Sequence, residues 1–207
     1  MSITCEKLVE RHPDSWEQAT VHPFLEACQS GKIQPKQFNT WLVQDYLFVI
    51  EFTRLLAKTL ANAPPEHFDV LLGGLSAIKE ELNWFQVKAK ERGLDLESEK
   101  QQTCQAYCEY MQKVGEMSYS VQAMVIWAIE LAYNQAWQKP GKMAAPYDEF
   151  ANRWGNSDFT EYVKQLEKQA NQVLGKTDPE TEKYLESAFV KIASLEKDFW
   201  QMAYNNE

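Results

Sequence analysis

Asp45 is a carboxylate at a position where the helical pattern places apolar side chains. Trp41 lies four residues before it, and Phe48, Val49 and Phe52 lie three, four and seven residues after it, the spacing of one helical face. Burying a charge is costly, so this carboxylate must find a partner, hold a proton or bind a ligand. Taken alone, Asp45 fits a buried ion pair as well as a functional group.

The same anomaly recurs on three further predicted helices. The apolar neighbours at helical spacing are Ala77, Ile78, Trp84 and Phe85 for Glu81; Ile126, Trp127, Tyr133 and Trp137 for Glu130; and Ile192, Ala193, Phe199, Trp200 and Ala203 for Glu196. Each of these carboxylates alone could equally lie at a rim. Four of them on four helices favour a shared polar pocket inside a helical bundle.

A carboxylate cluster in a bundle first suggests a di-iron site, which requires Glu-x-x-His on two helices. The residues at that spacing are Asn83 after Glu80, Tyr133 after Glu130 and Phe199 after Glu196. Haem binding through His22 lacks the close-packed glycines that such a pocket would want. The sequence also has no P-loop, GxGxxG or GxSxG motif. We therefore predict no metal and no cofactor.

The composition is that of a soluble globular protein, with 44% hydrophobic and 25% charged residues. The net charge of -9 argues against nucleic acid and against anionic membrane surfaces, because both are recognised through Lys and Arg. Aromatic residues reach 13%, which suits either a large core or a pocket for a flat ligand.

The N-terminus, MSITCEKLVERH, has no hydrophobic signal-peptide core, and no apolar run approaches a membrane span. We therefore expect a cytoplasmic protein. The four cysteines form no CxxC pair, and Cys104 and Cys108 are four apart on a probable helix. They are expected to be reduced, partly buried thiols and not a disulfide framework.

The elements that must position these groups are all predicted helices. They cover 4–11, 15–30 in two pieces broken near His22-Pro23, 35–61, 67–92, a segment carrying Tyr107, Tyr110 and Met111, 118–137, 147–154, 158–174, and 179 towards 204. No segment alternates with period two, and no linker or repeat interrupts the chain. The prediction is one all-helical domain of about eight helices over residues 1–207.

Five motifs occur in order along the chain: FNTWLVQDYLF, GGLSAIKEELNWF, WAIELAY, RWGNSDF and LEKDFWQMA. Together they resemble the TenA/thiaminase II family, which implies an all-α, haem-oxygenase-like multi-helical bundle. QDYLF, EELNWF, WAIE and RWGN most resemble the cysteine-lacking branch of that family, which includes plant seed-maturation-type proteins. The resemblance covers nearly the whole chain.

The resemblance implies roles for individual residues. Asp45 matches the aspartate that hydrogen-bonds an aminopyrimidine, Tyr107 the tyrosine that stacks on the ring, and Glu196 the glutamate that acts as acid and base. Phe48 and Trp154 stand where the family has tyrosines, and with Tyr133 they are expected to bind substrate. We expect Asp45, Glu81, Glu130 and Glu196 to converge on one cavity lined by Tyr107, Phe48 and Trp154.

The family's nucleophilic cysteine is replaced by Val125, which cannot attack a pyrimidine carbon. The resemblance therefore implies a thiamin-salvage hydrolase that acts on 4-amino-5-aminomethyl-2-methylpyrimidine or its N-formyl derivative, with Glu81 or Glu130 activating water. It also implies a homodimer or homotetramer. Two alternatives stay open: a non-catalytic aminopyrimidine-binding or carrier protein, and a purely structural helical protein.

Overall fold

Apolar residues at three- and four-residue spacing fold the chain into helices. The computed structural model describes residues 3–205, and within them it contains ten α-helices, one 3-10 turn and no β-strand. The helices are α1 (Cys5–Arg11), α2 (Pro13–Thr20), α3 (Pro23–Gln29), α4 (Pro35–Asn62), α5 (Phe68–Arg92), α6 (Gln102–Val114), α7 (Tyr119–Gln138), α8 (Asp148–Trp154), α9 (Ser157–Leu174) and α10 (Pro179–Asn205). The predicted all-α class is confirmed.

Proline and short polar side chains set the helix boundaries. Pro13, Pro23 and Pro35 each occupy the first turn of a helix, where the missing N–H leaves no hydrogen bond unmade. The Thr4 hydroxyl caps α1 by accepting a hydrogen bond from the Lys7 amide. Gly93 ends α5 with a φ of 65°, a left-handed conformation that glycine adopts without strain.

The described residues group into two compact units. The first unit comprises residues 3–33 and 119–198, and the second comprises residues 34–118 and 199–205. α10 contributes residues to both units, which divide after Asp198. The single domain expected over residues 1–207 stays a prediction.

Each unit has one dominant helix. In the first unit α7 buries 14 of its 20 residues and packs against α2, α8 and α9. In the second unit the 28-residue α4 packs against α5 and α6. These two helices carry four of the eight predicted site residues: Asp45, Phe48, Glu130 and Tyr133.

The four cysteines all lie in the described part of the chain, where they are fully buried and form no disulfide. The prediction of reduced thiols is confirmed, whereas the prediction of partial burial is wrong, because each side chain lies on the packed face of its helix. Over residues 3–205, no helix has the length and hydropathy required to traverse a bilayer.

Candidate active site

In the second unit, α4 buries the carboxylate of Asp45. The side chain is 2% exposed, and Trp41 and Phe48, one turn to either side, are 0% and 7% exposed. Val49 and Phe52 are buried as well, so the whole apolar stripe that surrounded Asp45 in the sequence is packed inward. A carboxylate in such surroundings interacts strongly with any donor it meets, because water does not screen it.

Three rings of the same unit form an aromatic cluster, Phe48–Tyr107–Phe199. The centroid of Phe48 lies 4.8 Å from that of Tyr107 and 5.7 Å from that of Phe199, with interplanar angles of 60° in both pairs. Tyr107 and Phe199 complete the cluster at 6.5 Å and 75°. These edge-to-face contacts bring together the two predicted ring-binding residues, Phe48 and Tyr107, and add Phe199, for which no ring-binding role was predicted.

Gln44, which is not among the predicted site residues, connects α4 to the start of α6 through two hydrogen bonds. Its Nε2 donates to the Glu99 carbonyl at 3.2 Å, and its Oε1 accepts from the Gln101 amide at 2.8 Å. Gln101 is the N-cap of α6, so this bond satisfies one of the amides that the helix start leaves unpaired. Gln44 was detectable, because it lies three residues after Trp41 and four before Phe48 on the same apolar face.

Cys104 and Cys108 form a hydrogen-bonded thiol pair on α6. That hydrogen bond raises the pKa of Cys104, with burial adding to the rise, and it lowers the pKa of Cys108 against the effect of burial. Cys104 also lies 3.5 Å from the Gln44 carbonyl oxygen. Both thiols are fully buried and hydrogen-bonded to each other, and neither occupies the position of the family's nucleophilic cysteine.

Glu81 differs from the other predicted carboxylates. It lies on α5 and is half-buried, whereas Asp45, Glu130 and Glu196 are 2%, 9% and 3% exposed. Of its neighbours at helical spacing, Ile78 and Phe85 are buried, whereas Ala77 is exposed and Trp84 is half-buried. Glu81 therefore lies at the edge of the apolar stripe of α5. This is the rim position that the sequence allows for any one of the four carboxylates.

The first unit holds the other four predicted residues: Glu130, Tyr133, Trp154 and Glu196. Tyr133 is half-buried and Trp154 is 3% exposed. Their rings meet edge to face at 5.2 Å and 83°, while Trp154 stacks on Trp137 at 5.6 Å and 28°. The convergence of all four carboxylates on one cavity involves residues of both units and stays a prediction.

Asn134 is a further residue of the first unit that sequence reasoning missed. It is 2% exposed, and its side-chain Nδ2 donates to the carbonyl oxygen of Trp154 at 2.6 Å. The signal was present, since Asn134 lies one helical turn after Glu130 within the apolar run of α7. An uncharged amide on an apolar face is less conspicuous than a carboxylate, because its burial costs less.

The histidines have structural contacts. His22 Nδ1 accepts from the Phe24 amide at 3.1 Å and so caps α3, and His12 Nε2 lies 3.0 Å from Glu186 Oε1. Within residues 3–205, no three His, Cys, Asp or Glu side chains are grouped in a way that could hold a metal ion.

Comparison with known sequences gives full-length matches. The model of the TENA/THI-4/PQQC family matches residues 9–206. A soybean (Glycine max) protein named "Probable bifunctional TENA-E protein" is 30% identical, covering 97% of this chain and 93% of its own length. An "Aminopyrimidine aminohydrolase" of Halalkalibacterium halodurans is 26% identical, with coverage of 96% and 94%.

Solved structures of TenA proteins have the same fold as this chain. A TenA homologue from Pyrococcus furiosus superposes with a TM-score of 0.91 at 30% identity, covering 96% of this chain and 98% of the other. A protein from Silicibacter described as a TenA family transcription regulator superposes with a TM-score of 0.87 at 19% identity, a likeness of fold alone. The predicted haem-oxygenase-like fold is confirmed.

Proposed function

Because the chain belongs to the TENA/THI-4/PQQC family, we propose that it is a thiamin-salvage hydrolase of aminopyrimidines. The proposed substrates are 4-amino-5-aminomethyl-2-methylpyrimidine and its N-formyl derivative. Water would replace the amino group of the first and release ammonia, or cleave the amide of the second and release formate. The name of the H. halodurans relative, which matches nearly end to end, supports this substrate class.

The observation that carries the proposal is the burial of Asp45 on the helix that also presents Phe48 to the aromatic cluster. A carboxylate with 2% exposure can accept hydrogen bonds from the exocyclic amino group and from a protonated ring nitrogen of a pyrimidine. Phe48 and Tyr107, whose rings are 4.8 Å apart, supply apolar surface for the ring itself. We assign Asp45, Phe48 and Tyr107 to substrate binding.

Proton transfer is assigned to carboxylates, with Glu196 of the first unit in the main role. Hydrolysis of the aminomethyl group forms a C–O bond to water and breaks the C–N bond, so the leaving amine must gain a proton and water must lose one. Glu196, 3% exposed, is the proposed acid and base. Glu130, 9% exposed, or the half-buried Glu81 of the second unit would polarise the water, and Tyr133 and Trp154 would contact the substrate.

Val125 argues against covalent catalysis. It occupies the position of the family's nucleophilic cysteine and is fully buried on α7. A valine has no lone pair with which to attack the ring. We therefore propose that the chain belongs to the cysteine-lacking branch and that thiamin itself is not cleaved at a significant rate.

The same substitution favours a second candidate, a non-catalytic aminopyrimidine-binding protein that keeps the pocket and lacks the nucleophile. Mass spectrometry of purified protein incubated with each aminopyrimidine, and separately with thiamin, distinguishes the two. Formation of hydroxymethylpyrimidine or of the deformylated amine supports the hydrolase. Binding measured by calorimetry without turnover supports the carrier, and the absence of both overturns the assignment.

A further inference from the structure

The turn between α8 and α9, residues 154–156, is held by side chains of α7. Asn134 Nδ2 donates to the Trp154 carbonyl oxygen at 2.6 Å, and Gln138 Nε2 donates to the Gly155 carbonyl oxygen at 3.2 Å. Both acceptors lie at the C-terminal end of α8, where carbonyl groups have no partner within the helix. The α7 amides therefore satisfy backbone groups that α8 leaves open.

Thr160 lies beside the Asn134 amide and completes its hydrogen bonds. Its hydroxyl accepts from Gln138 Nε2 at 2.7 Å and lies 3.2 Å from Asn134 Oδ1 and 3.0 Å from the Asn156 carbonyl oxygen. A hydroxyl has one proton, so it donates to one of these two oxygens at a time. The Trp154 carbonyl sets the orientation of the Asn134 amide: it can only accept, so Nδ2 must face it, and Oδ1 therefore faces the Thr160 hydroxyl.

The turn also fits tightly against the end of α7. A Cβ on Gly155 would lie 2.7 Å from the Ala151 carbonyl oxygen and 3.3 Å from the Trp137 carbonyl oxygen. Both neighbours are backbone atoms, which cannot move aside as a flexible side chain can. The RWGN segment is therefore constrained both by packing and by hydrogen bonds.

The group that this arrangement positions is the Trp154 ring. Its backbone carbonyl is bound by Asn134, and its ring stacks on Trp137 and meets the edge of Tyr133. We infer that Asn134 is a positioning residue that sets the Trp154 ring against Tyr133 and so determines how well the substrate is bound. This inference rests on the proposed function, in which Tyr133 and Trp154 contact the aminopyrimidine.

Asn134→Ala tests the inference by steady-state kinetics. Removing the amide should raise KM about tenfold and leave kcat within about twofold, because the substrate-binding surface is displaced while the acid and base remain. Asn134→Asp should do the same above neutral pH, since it places a carboxylate oxygen against the Trp154 carbonyl. The matched control is Asn171→Ala, which removes a half-buried acceptor for the Cys5 amide at 2.8 Å in the same unit and should change stability but not KM.

A double-mutant cycle with Trp154→Phe separates positioning from a general loss of stability. If Asn134 acts through the indole, the KM effect of Asn134→Ala should shrink to about twofold or less in the Trp154→Phe background. An undiminished effect in that background would show that Asn134 acts through some other group, and the inference would be wrong.

Near-ultraviolet circular dichroism makes the test independent of activity. The stacked Trp154–Trp137 pair should give a signal that Asn134→Ala reduces by about half or more and Asn171→Ala leaves unchanged. If the parent protein neither binds nor converts an aminopyrimidine, the proposed function fails, and this spectrum still decides whether Asn134 holds the ring. If Asn134→Ala changes neither the spectrum nor KM, the inference about Asn134 is wrong and the proposed function is unaffected.

Discussion

The buried carboxylates of the two units differ in the side chains that lie next to them on their helices. In the second unit Asp45 shares a helix with Phe48, which packs edge to face on Tyr107 and Phe199. In the first unit Glu130 has apolar neighbours such as Trp127 on α7, but two polar side chains, Asn134 and Gln138, follow it at intervals of one turn. A carboxylate beside packed rings suits the recognition of a flat heterocycle, and a buried carboxylate such as Glu130 or Glu196 can exchange a proton with a bound substrate.

Each unit also uses one buried amide side chain to hold backbone of a neighbouring segment. Gln44 bonds two backbone groups, the Glu99 carbonyl and the Gln101 amide, whereas Asn134 bonds one carbonyl and one hydroxyl. Gln44 fixes the start of α6, which carries Tyr107 further along. Asn134 fixes the backbone of a predicted substrate-binding residue directly. We therefore expect Gln44 to act mainly on stability and Asn134 mainly on substrate binding.

The largest expected effect tests whether the first unit supplies proton transfer. Glu196→Gln keeps the shape of the side chain but cannot exchange a proton, so kcat for aminopyrimidine hydrolysis should fall by about 100-fold or more. Steady-state kinetics measure this. Cys104→Ser and Cys108→Ser are the controls and should retain nearly full activity. Full activity in Glu196→Gln would move the acid and base role to another carboxylate, with Glu130 the first to examine.

The next effect tests whether the second unit supplies recognition. Asp45→Asn replaces one acceptor with an NH2 group that would face the pyrimidine amino group, so affinity should weaken by about 1–3 kcal/mol. Calorimetry with the aminomethyl pyrimidine measures it. The matched control is Glu51→Gln, a carboxylate 4% exposed on the same helix and bonded to Arg54 at 2.7 Å. Equal losses of affinity in both variants would mean that removing any buried charge from α4 weakens binding, and Asp45 would then have no specific role in recognition.

A smaller effect separates the two buried amides. Gln44→Ala leaves the Glu99 carbonyl and the Gln101 amide without this partner, so the free energy of unfolding should fall by about 1–3 kcal/mol. Urea denaturation measures it, and the exposed Gln105→Ala on α6 is the control. If Gln44→Ala instead changes KM as strongly as Asn134→Ala, the contrast drawn between the two amides is wrong.

The smallest effect concerns the start of α10. The pKa of Asp178 lies below its ordinary value because its carboxylate accepts hydrogen bonds from the amide and the hydroxyl of Thr181. A carboxylate with a lowered folded-state pKa stabilises the fold above its ordinary pKa, and that contribution is lost as pH falls through the folded value. Asp178→Ala should therefore unfold at slightly lower temperature than the parent near neutral pH and match it in acid.

Thermal unfolding monitored by circular dichroism from about pH 7 down to about pH 2 tests this, since the range spans the ordinary carboxyl pKa. Glu180→Ala removes a charge from the same helix turn and leaves the hydrogen bonds of the Asp178 carboxylate in place. The difference in unfolding temperature between this variant and the parent should therefore vary less with pH. A constant difference for Asp178→Ala across the range would rule out a role for the ionised cap.

The sequence by itself determined the helices and the burial of most predicted carboxylates. Both depend on local periodicity: residues three and four apart share a face, so Asp45, Glu130 and Glu196 had to follow their apolar neighbours inward. Glu81 has the same pattern but is half-buried. The width of a buried stripe depends on how many elements pack around a helix, and the sequence of that helix does not contain this information.

Only the tertiary structure decided which polar groups meet. Gln44 and Gln101 are 57 residues apart, and Asn134 and Trp154 are 20 apart. Each bond forms because a helix end leaves a backbone group without a partner and a side chain from another helix arrives within reach. Residue type identifies the donors and acceptors, but their pairing depends on where the helices pack, and that is fixed by the chain as a whole.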